Sequence, residues 1–260
     1  MAEHGAPHGT VVAAIRQTGG RGRQGRRWDS LAGNLHASFV LRPAPPAARA
    51  PELGFAAALG VAETLERYLP ESVRPGLKWP NDVLVAGGKI AGILVERSAE
   101  PGGTSWVVLG IGVNLAAAPT DLPYPAQALA AFVAAPTPAD VLSLLAADLE
   151  RWLVRWEREG FAPIAAAWSA RGPSLGERLC VQIGAEFVEG TNAGLGPGGE
   201  LLLDTPEGRR TIIVGEVLNA GNVGAPQRAL PKLPTEIGGP PGPEPTRYGD
   251  WQFKGRVTDF

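Results

Sequence analysis

Apolar and polar positions alternate in short runs over the first half of the chain. Residues 10–15 are rich in β-branched side chains and residues 34–41 form a second apolar run, so both predict strands. Between them, residues 19–30 are rich in Gly and Arg and predict a loop. Residues 51–69 carry Leu53, Ala57, Val61, Thr64, Leu65 and Tyr68 at helical spacing behind Pro51. Residues 82–85 and 89–96 flank Ala86-Gly87-Gly88 and predict a hairpin, and residues 106–113 predict a further strand. The second strand of that hairpin is apolar almost throughout, which places it centrally in a sheet. Thr137-Pro138-Ala139-Asp140 has the form of a capping box with Pro at the first helical position. The helix it opens runs through Leu142, Leu145, Leu149, Leu153 and Trp156 to about residue 159, and residues 161–170 continue as another.

From residue 171 the texture changes. Residues 178–183, 186–193, 200–204 and 210–217 read as four short strands with Gly-rich turns, a small β-barrel or half-sandwich. In residues 223–246, 11 of 24 positions are Gly or Pro, too few apolar groups to offset the entropy of ordering, so this stretch predicts a linker. Residues 247–260 regain aromatics and charge, the composition of a short binding motif. The expected layout is an α+β domain over 1–170, a small β domain over 171–220 and a disordered tail over 221–260.

Lys+Arg 24 against Asp+Glu 26 gives a net charge of −2, which excludes a globally polycationic nucleic-acid binder. Cys180 is the single cysteine, so no intramolecular disulfide and no multi-cysteine zinc site can form; it reads as a core residue. Residues 1–8 hold no apolar stretch of a secretory signal, and no run approaches the roughly 18 apolar residues of a membrane helix. A cytoplasmic protein with no membrane partner is the expectation.

Two segments carry candidate chemistry. Gly20-Arg21-Gly22-Arg23-Gln24-Gly25 satisfies G-x-G-x-x-G, but a strand follows instead of the helix that a dinucleotide fold requires. The kinase reading fails too, for lack of its lysine strand and catalytic loop. What remains is four arginines in seven residues closed by Trp28. Guanidinium groups offer paired donors to phosphate, and close like charges keep such a loop mobile until an anion arrives. A solvated basic loop or an RNA-binding patch fits the composition equally well. The second segment, Lys78-Trp79-Pro80-Asn81-Asp82 followed by Lys89, brings two lysines, an amide and a carboxylate within twelve residues. By composition alone it reads either as a site or as a surface ion pair, Lys78 with Asp82, beside a snorkelling lysine.

Residues 17–28, Gly33-Asn34-Leu35, Lys78 to Asp82, Gly88 to Glu96 and Gly110-Ile111-Gly112-Val113-Asn114 closely resemble, in this order and spacing, the bacterial biotin protein ligases. The resemblance covers roughly residues 8–218. It implies an α+β catalytic domain on a mixed sheet, like the biotin/lipoate ligases and class II aminoacyl-tRNA synthetases, followed by an SH3-like barrel. It implies a two-step reaction in which biotin and ATP give biotinyl-5′-adenylate and pyrophosphate, and biotin then passes to a lysine of the biotin carboxyl carrier protein of acetyl-CoA carboxylase. It assigns Lys89, Arg21 and Arg23 to catalysis. Gln17, Gly20, Arg21, Arg23, Lys89, Gly92, Leu94 and Gly112 fall to biotin, Trp28, Asn81, Asp82 and Asn114 to ATP, with Trp28 near the adenine, and Asp82 to Mg2+. The lipoate ligases share the fold and adenylate chemistry, but the arginine loop and the Lys78–Asp82 motif favour biotin.

The family's opening strand, Ser-Thr-Asn turn and helix have no counterpart before residue 10, nor has the helix-turn-helix of repressor-type ligases, so no operator binding is expected. The tail, from Ile237-Gly238-Gly239-Pro240 through Gly249-Asp250-Trp251 to Asp259-Phe260, resembles the small succinate dehydrogenase assembly factors, with Val257 where those usually carry Cys. That resemblance implies the flavoprotein subunit of succinate dehydrogenase as a partner. The alternative expectation is therefore an inactive ligase whose tail is the working part.

Overall fold

The computed structural model describes residues 1–43, 49–98 and 106–218, and the backbone of Trp251–Phe253 and Arg256–Thr258. Its main sheet has eight strands: β1 (Thr10–Ala13), β2 (Leu35–Leu41), β3 (Gly76–Lys78), β4 (Asp82–Val85), β5 (Gly88–Ser98), β6 (Val107–Val113), β12 (Trp251–Phe253) and β13 (Arg256–Thr258). The order is β1-β2-β6-β5, with β4 and then β3 beside the first half of β5 and β13 and then β12 beside its second half. Among the described residues every ladder of this sheet is antiparallel, and one isolated bridge, Lys89–Ala126, is parallel. The β4–β5 hairpin turns on Ala86 (φ 48°) and Gly87 (φ 77°), the two left-handed positions of a tight turn.

One face of the sheet is covered by α1 (Ala50–Glu66), α2 (Pro138–Glu159) and α3 (Ala162–Ser169). The spacing in the sequence gives α1 a single apolar stripe, yet the helix is buried nearly all round. Its small residues explain this. A Cβ at Gly54 would stand 3.0 Å from Val95 of β5, and one at Gly60 would stand 3.2 Å from the Leu149 backbone of α2, so α1 is wedged between sheet and helix. The Thr137 hydroxyl accepts the Asp140 N–H, the expected N-cap of α2, and Gly160 (φ 77°) ends it.

The second unit is a five-stranded antiparallel sheet, β10-β9-β8-β7-β11, built from β7 (Arg178–Ile183), β8 (Glu186–Leu195), β9 (Leu201–Thr205), β10 (Gly208–Ile212) and β11 (Glu216–Leu218). The last expected strand divides in two at residues 213–215. Among the described residues no ladder joins β10 to β11, so the path is open and not the closed barrel of the expectation. The unit rests on the first: Trp79 Nε1 donates to the Gly199 carbonyl at 2.9 Å, and the same turn packs on Phe55 and Phe161, whose rings meet edge to face at 5.4 Å.

Six residues of the tail are described, Trp251–Phe253 and Arg256–Thr258. β12 and β13 form a ribbon, and β13 pairs with β5 through Arg256↔Ser98, Val257↔Arg97 and Thr258↔Glu96. β4 accompanies β5 only as far as Gly92, which leaves backbone groups of residues 96–98 on an open edge that a strand can satisfy. The linker expected over residues 223–246 lies outside the described residues.

Candidate active site

The site lies on the sheet face away from the helices. Register places Lys78 opposite Asp82, Asp82 opposite Gly92, Gly92 opposite Gly112, and Gly112 opposite His36, so one line crosses β3, β4, β5, β6 and β2. Residues directly opposite on neighbouring strands share a face. The line carries charge at one end, a floor without side chains in its middle and a buried imidazole at the other. Burial lowers the His36 pKa, opposed by the nearby Leu31 carbonyl, so the ring is neutral at pH 7.

The turn between β3 and β4 is held from both sides. Trp79 is 1% exposed and anchored to Gly199, and the Trp79–Pro80 peptide is cis. Asn81 donates through Nδ2 to the Ile93 carbonyl at 2.6 Å and accepts the Ile93 N–H at its own carbonyl. Asp82, 6% exposed, is thereby set between two ammonium groups, with Lys89 Nζ 2.6 Å from Oδ1 and Lys78 Nζ 3.3 Å from Oδ2. Burial alone would raise its pKa; the charges of Lys89 and then Lys78 outweigh it and hold the carboxyl below its usual range.

Two residues that sequence reasoning missed complete this charged corner. The Tyr124 ring lies 5.6 Å from Lys89 Nζ and 5.9 Å from Lys78 Nζ, and burial, then the Asp82 charge, raises its hydroxyl pKa. Its loop is stitched to β5 by Lys89 N–H to Pro125 O and Gln127 N–H to Lys89 O, both at 2.9 Å. Glu216 of β11 reaches in from the second sheet, 3.6 Å from Lys78 Nζ and 2.6 Å from Arg26 Nη1. No local signal marks either residue, because only packing of distant segments brings them here.

The arginine loop is closed, not free. Trp28 N–H donates to Gly20 O at 3.0 Å, Gly22 N–H to Arg26 O at 2.6 Å, and Arg21 bridges Arg27. Gly20 itself does not line the cleft; a Cβ there would fall 2.5 Å from the Trp28 carbonyl, so it allows the clamp. The expected repulsion is relieved by carboxylates: Arg26 meets Glu216, Arg27 meets Asp29 at 3.2 Å, and Arg21 lies 4.0 Å from Glu96. Arg23 is 6% exposed and donates to the Gly215 carbonyl at 3.2 Å, so it is held in place where it meets the cleft.

Together these residues enclose a cleft of about 240 Å³ whose walls include Gln17, Arg21, Arg23, Trp28, Lys89 and Leu94 over the floor of Gly92 and Gly112. Trp28 also borders a smaller neighbouring cavity with Asn114, Lys89 and Tyr124. Asn114 lies at that cavity with its polar atoms engaged: Nδ2 donates to Gln127 O at 3.1 Å, and Oδ1 accepts from Asn34 at 3.3 Å. Asn34 in turn accepts the N–H groups of residues 115, 116 and 117 at 3.0–3.2 Å and so shapes the loop that follows β6. The arrangement can receive an anionic, partly apolar ligand: lysines and arginines at one end, a flat apolar trough in the middle.

Asp82 as found does not fit a divalent cation. Both its oxygens face ammonium groups, and among the described residues no group of three His, Cys, Asp or Glu side chains converges.

An antiparallel sheet backed by helices thus carries lysines and an arginine loop over a glycine floor, a cleft built for an anionic ligand. The chain belongs to the biotin/lipoate A/B protein ligase family, whose model matches residues 2–114. It is 40% identical over 216 residues to the biotin–[acetyl-CoA-carboxylase] ligase of Paracoccus denitrificans, covering 81% of this chain and 90% of that one. Its fold superposes on the biotin protein ligase from Aquifex aeolicus in complex with biotin and ATP with a TM-score of 0.70 at 29% identity, covering 84% of this chain and 91% of that chain. Residues 218–260 match a second model, described as a protein of unknown function (DUF1674). Over 31 residues, 11% of this chain and 40% of the relative, the chain is 74% identical to the UPF0369 protein of Rickettsia felis. No helix among the described residues is long and apolar enough to cross a membrane.

Proposed function

We propose that this chain is a biotin protein ligase acting on the biotin carboxyl carrier protein of acetyl-CoA carboxylase. The observation that carries the reading is Lys89: it is held at the edge of a side-chain-free trough, with its ammonium group shared between Asp82 and the cleft. In the first step a biotin carboxylate oxygen attacks the α-phosphorus of ATP, the bond to the β-phosphate oxygen breaks, and pyrophosphate leaves. Anion must approach anion, so catalysis is positioning plus charge neutralisation. Lys89 can turn from Asp82 to the reacting oxygens, and Arg21 and the clamped loop cover the cleft from the solvent side. In the second step the acceptor lysine amine attacks the acyl carbon, AMP leaves, and the amine loses a proton. No protein nucleophile is needed, in keeping with Cys180 lying buried away from the cleft.

In this reading Gln17, Leu94, Gly92 and Gly112, which line the cleft, hold biotin. Asn81 and Asn114 serve the nucleotide side through the backbone they hold in place. Magnesium, which the family resemblance attaches to Asp82, does not fit that carboxylate while lysines occupy it. Incubating the full chain with biotin, ATP and a carrier domain, then probing the carrier with avidin, tests the assignment. Labelling by lipoate in place of biotin would move it to the other branch of the family. The alternative of an inactive ligase with a working tail is not favoured, since the ligase residues converge on one cleft. A succinate dehydrogenase partner for the tail rests on its motif alone. Retention of a 237–260 peptide by the immobilised flavoprotein subunit would support it, and no retention would remove it.

A further inference from the structure

Gly92 and Gly112 face each other across β5 and β6, and part of the space above them is taken by the protein itself. A Cβ at residue 112 would lie 2.5 Å from Trp28 Cε2, 2.6 Å from Cζ2 and 2.7 Å from Nε1, and one at residue 92 would lie 3.0 Å from Cζ3. The indole is therefore seated flat on the trough, with Lys89 Nζ 5.6 Å from its ring centroid. Its Nε1 is buried there without a hydrogen-bond partner. The same holds for Trp152 and Trp168 in the helical layer, but those are core residues, whereas Trp28 closes a loop beside an open cleft. A buried donor left unsatisfied favours any movement that gives it a partner.

We propose that Trp28 is a placeholder for the ligand: in the free protein its indole occupies the glycine-floored slot, and the fused bicyclic ring of biotin takes that slot by displacing it. The inference rests on the functional reading above for the identity of the ligand, and on contact geometry alone for the occupancy of the slot. Two adjacent strands without Cβ atoms make a trough one ring thick, and whatever ring enters must use the surface the indole now covers. The indole also borders a neighbouring cavity beside Asn114 and Tyr124, of about 20 Å³ and so too small to take it as it stands; its displacement therefore moves the loop from Gly20 to Trp28 as well. Lys89 is the pivot, in contact with the slot on one side and Asp82 on the other, so an entering carboxylate meets the ammonium group as its ring replaces the indole.

The experiment is fluorine NMR of the full chain labelled with 5-fluorotryptophan. There are seven tryptophans, and Trp28→Phe identifies the resonance of residue 28 by its loss. Gly112→Ala, checked for folding by circular dichroism, should move that resonance in the free protein by more than its line width and leave the core tryptophans in place. Saturating biotin should move the same resonance in the wild-type chain. If calorimetry shows biotin bound and the Trp28 resonance does not move, the indole was never in the slot and the inference is overturned. If calorimetry shows no biotin bound, the functional reading fails. The Gly112→Ala arm then decides occupancy alone, an unmoved resonance overturning it. Should Gly112→Ala not fold, Gly92→Ala makes the same comparison from the other strand.

Discussion

Two buried aspartates, each set between two cations, do opposite work in this protein. Asp148 of α2 is 1% exposed and accepts from Arg67 at 2.6 Å, Arg151 at 2.9 Å and the Thr64 hydroxyl at 2.9 Å, sealing α1 against α2. Asp82 is 6% exposed and meets Lys89 and Lys78, but it borders a cleft and an aromatic ring. Guanidinium forks spend several donors in one fixed geometry, whereas an ammonium group on a flexible stem can exchange one anion for another. The first aspartate is a fastener; the second holds its cations ready. In both, burial raises the pKa and the surrounding cations more than reverse it.

Breaking the two centres should separate activity from stability. The largest effect is expected at Lys89. Its loss in Lys89→Ala removes charge stabilisation of ~3–4 kcal/mol from the transition state, so pyrophosphate release should fall by about two to three orders of magnitude with an unchanged circular dichroism spectrum. Near-normal release would return Lys89 to the role of a surface cation. Arg67→Ala should do the reverse. It removes charge-assisted hydrogen bonds from a buried carboxylate that keeps Arg151 and Thr64, and the urea midpoint should fall with adenylation retained at 20 °C.

Acid should expose both centres at once. Each carboxyl titrates below its unfolded value, so each contributes stability that is fully present above the unfolded carboxylate pKa and is lost as pH falls through the depressed folded value. Asp148→Asn and Asp82→Asn should each flatten the acid limb of a urea-midpoint profile, and only Asp82→Asn should also change the pH dependence of adenylation. A profile indifferent to both substitutions would mean that the ion pairs survive unfolding or do not form. Smaller still is the effect at Tyr124. Tyr124→Ala forfeits ring contacts with two lysines worth ~1 kcal/mol together, about a fivefold loss in the adenylation kcat/KM, and Tyr124→Phe should recover most of it. Removing residues 223–260 should change carrier biotinylation least of all. It should speed amide exchange at residues 96–98, where β13 now pairs. Abolished transfer would place the tail within the enzyme.

Much of this was legible in the chain. Strands β1, β2, β4, β5 and β6, the cap of α2 at Thr137 and the lysine motif all follow from local pattern, because each is set by neighbours a few residues away. The glycines at 92 and 112 stood in motifs, and register then brought them face to face. The arginine loop shows where local reading stops. Four arginines read alike in sequence, yet Arg23 is buried against Gly215, Arg26 is paired with Glu216, and Arg21 and Arg27 stay at the surface. Their fates depend on a second sheet almost two hundred residues away.

The sequence by itself determined the chemistry available: two lysines beside a carboxylate, a basic glycine loop, and strands able to carry a floor without side chains. Tertiary structure decided how it is used. It set Asp82 between its lysines, brought Tyr124 and Glu216 to them, laid Trp28 on the glycine floor and gave β5 a partner from the tail. Hydrophobic period and turn chemistry act over a few residues and can be read along the chain. Contacts between segments depend on which surfaces meet when the sheets and helices pack, and that is a property of the folded whole.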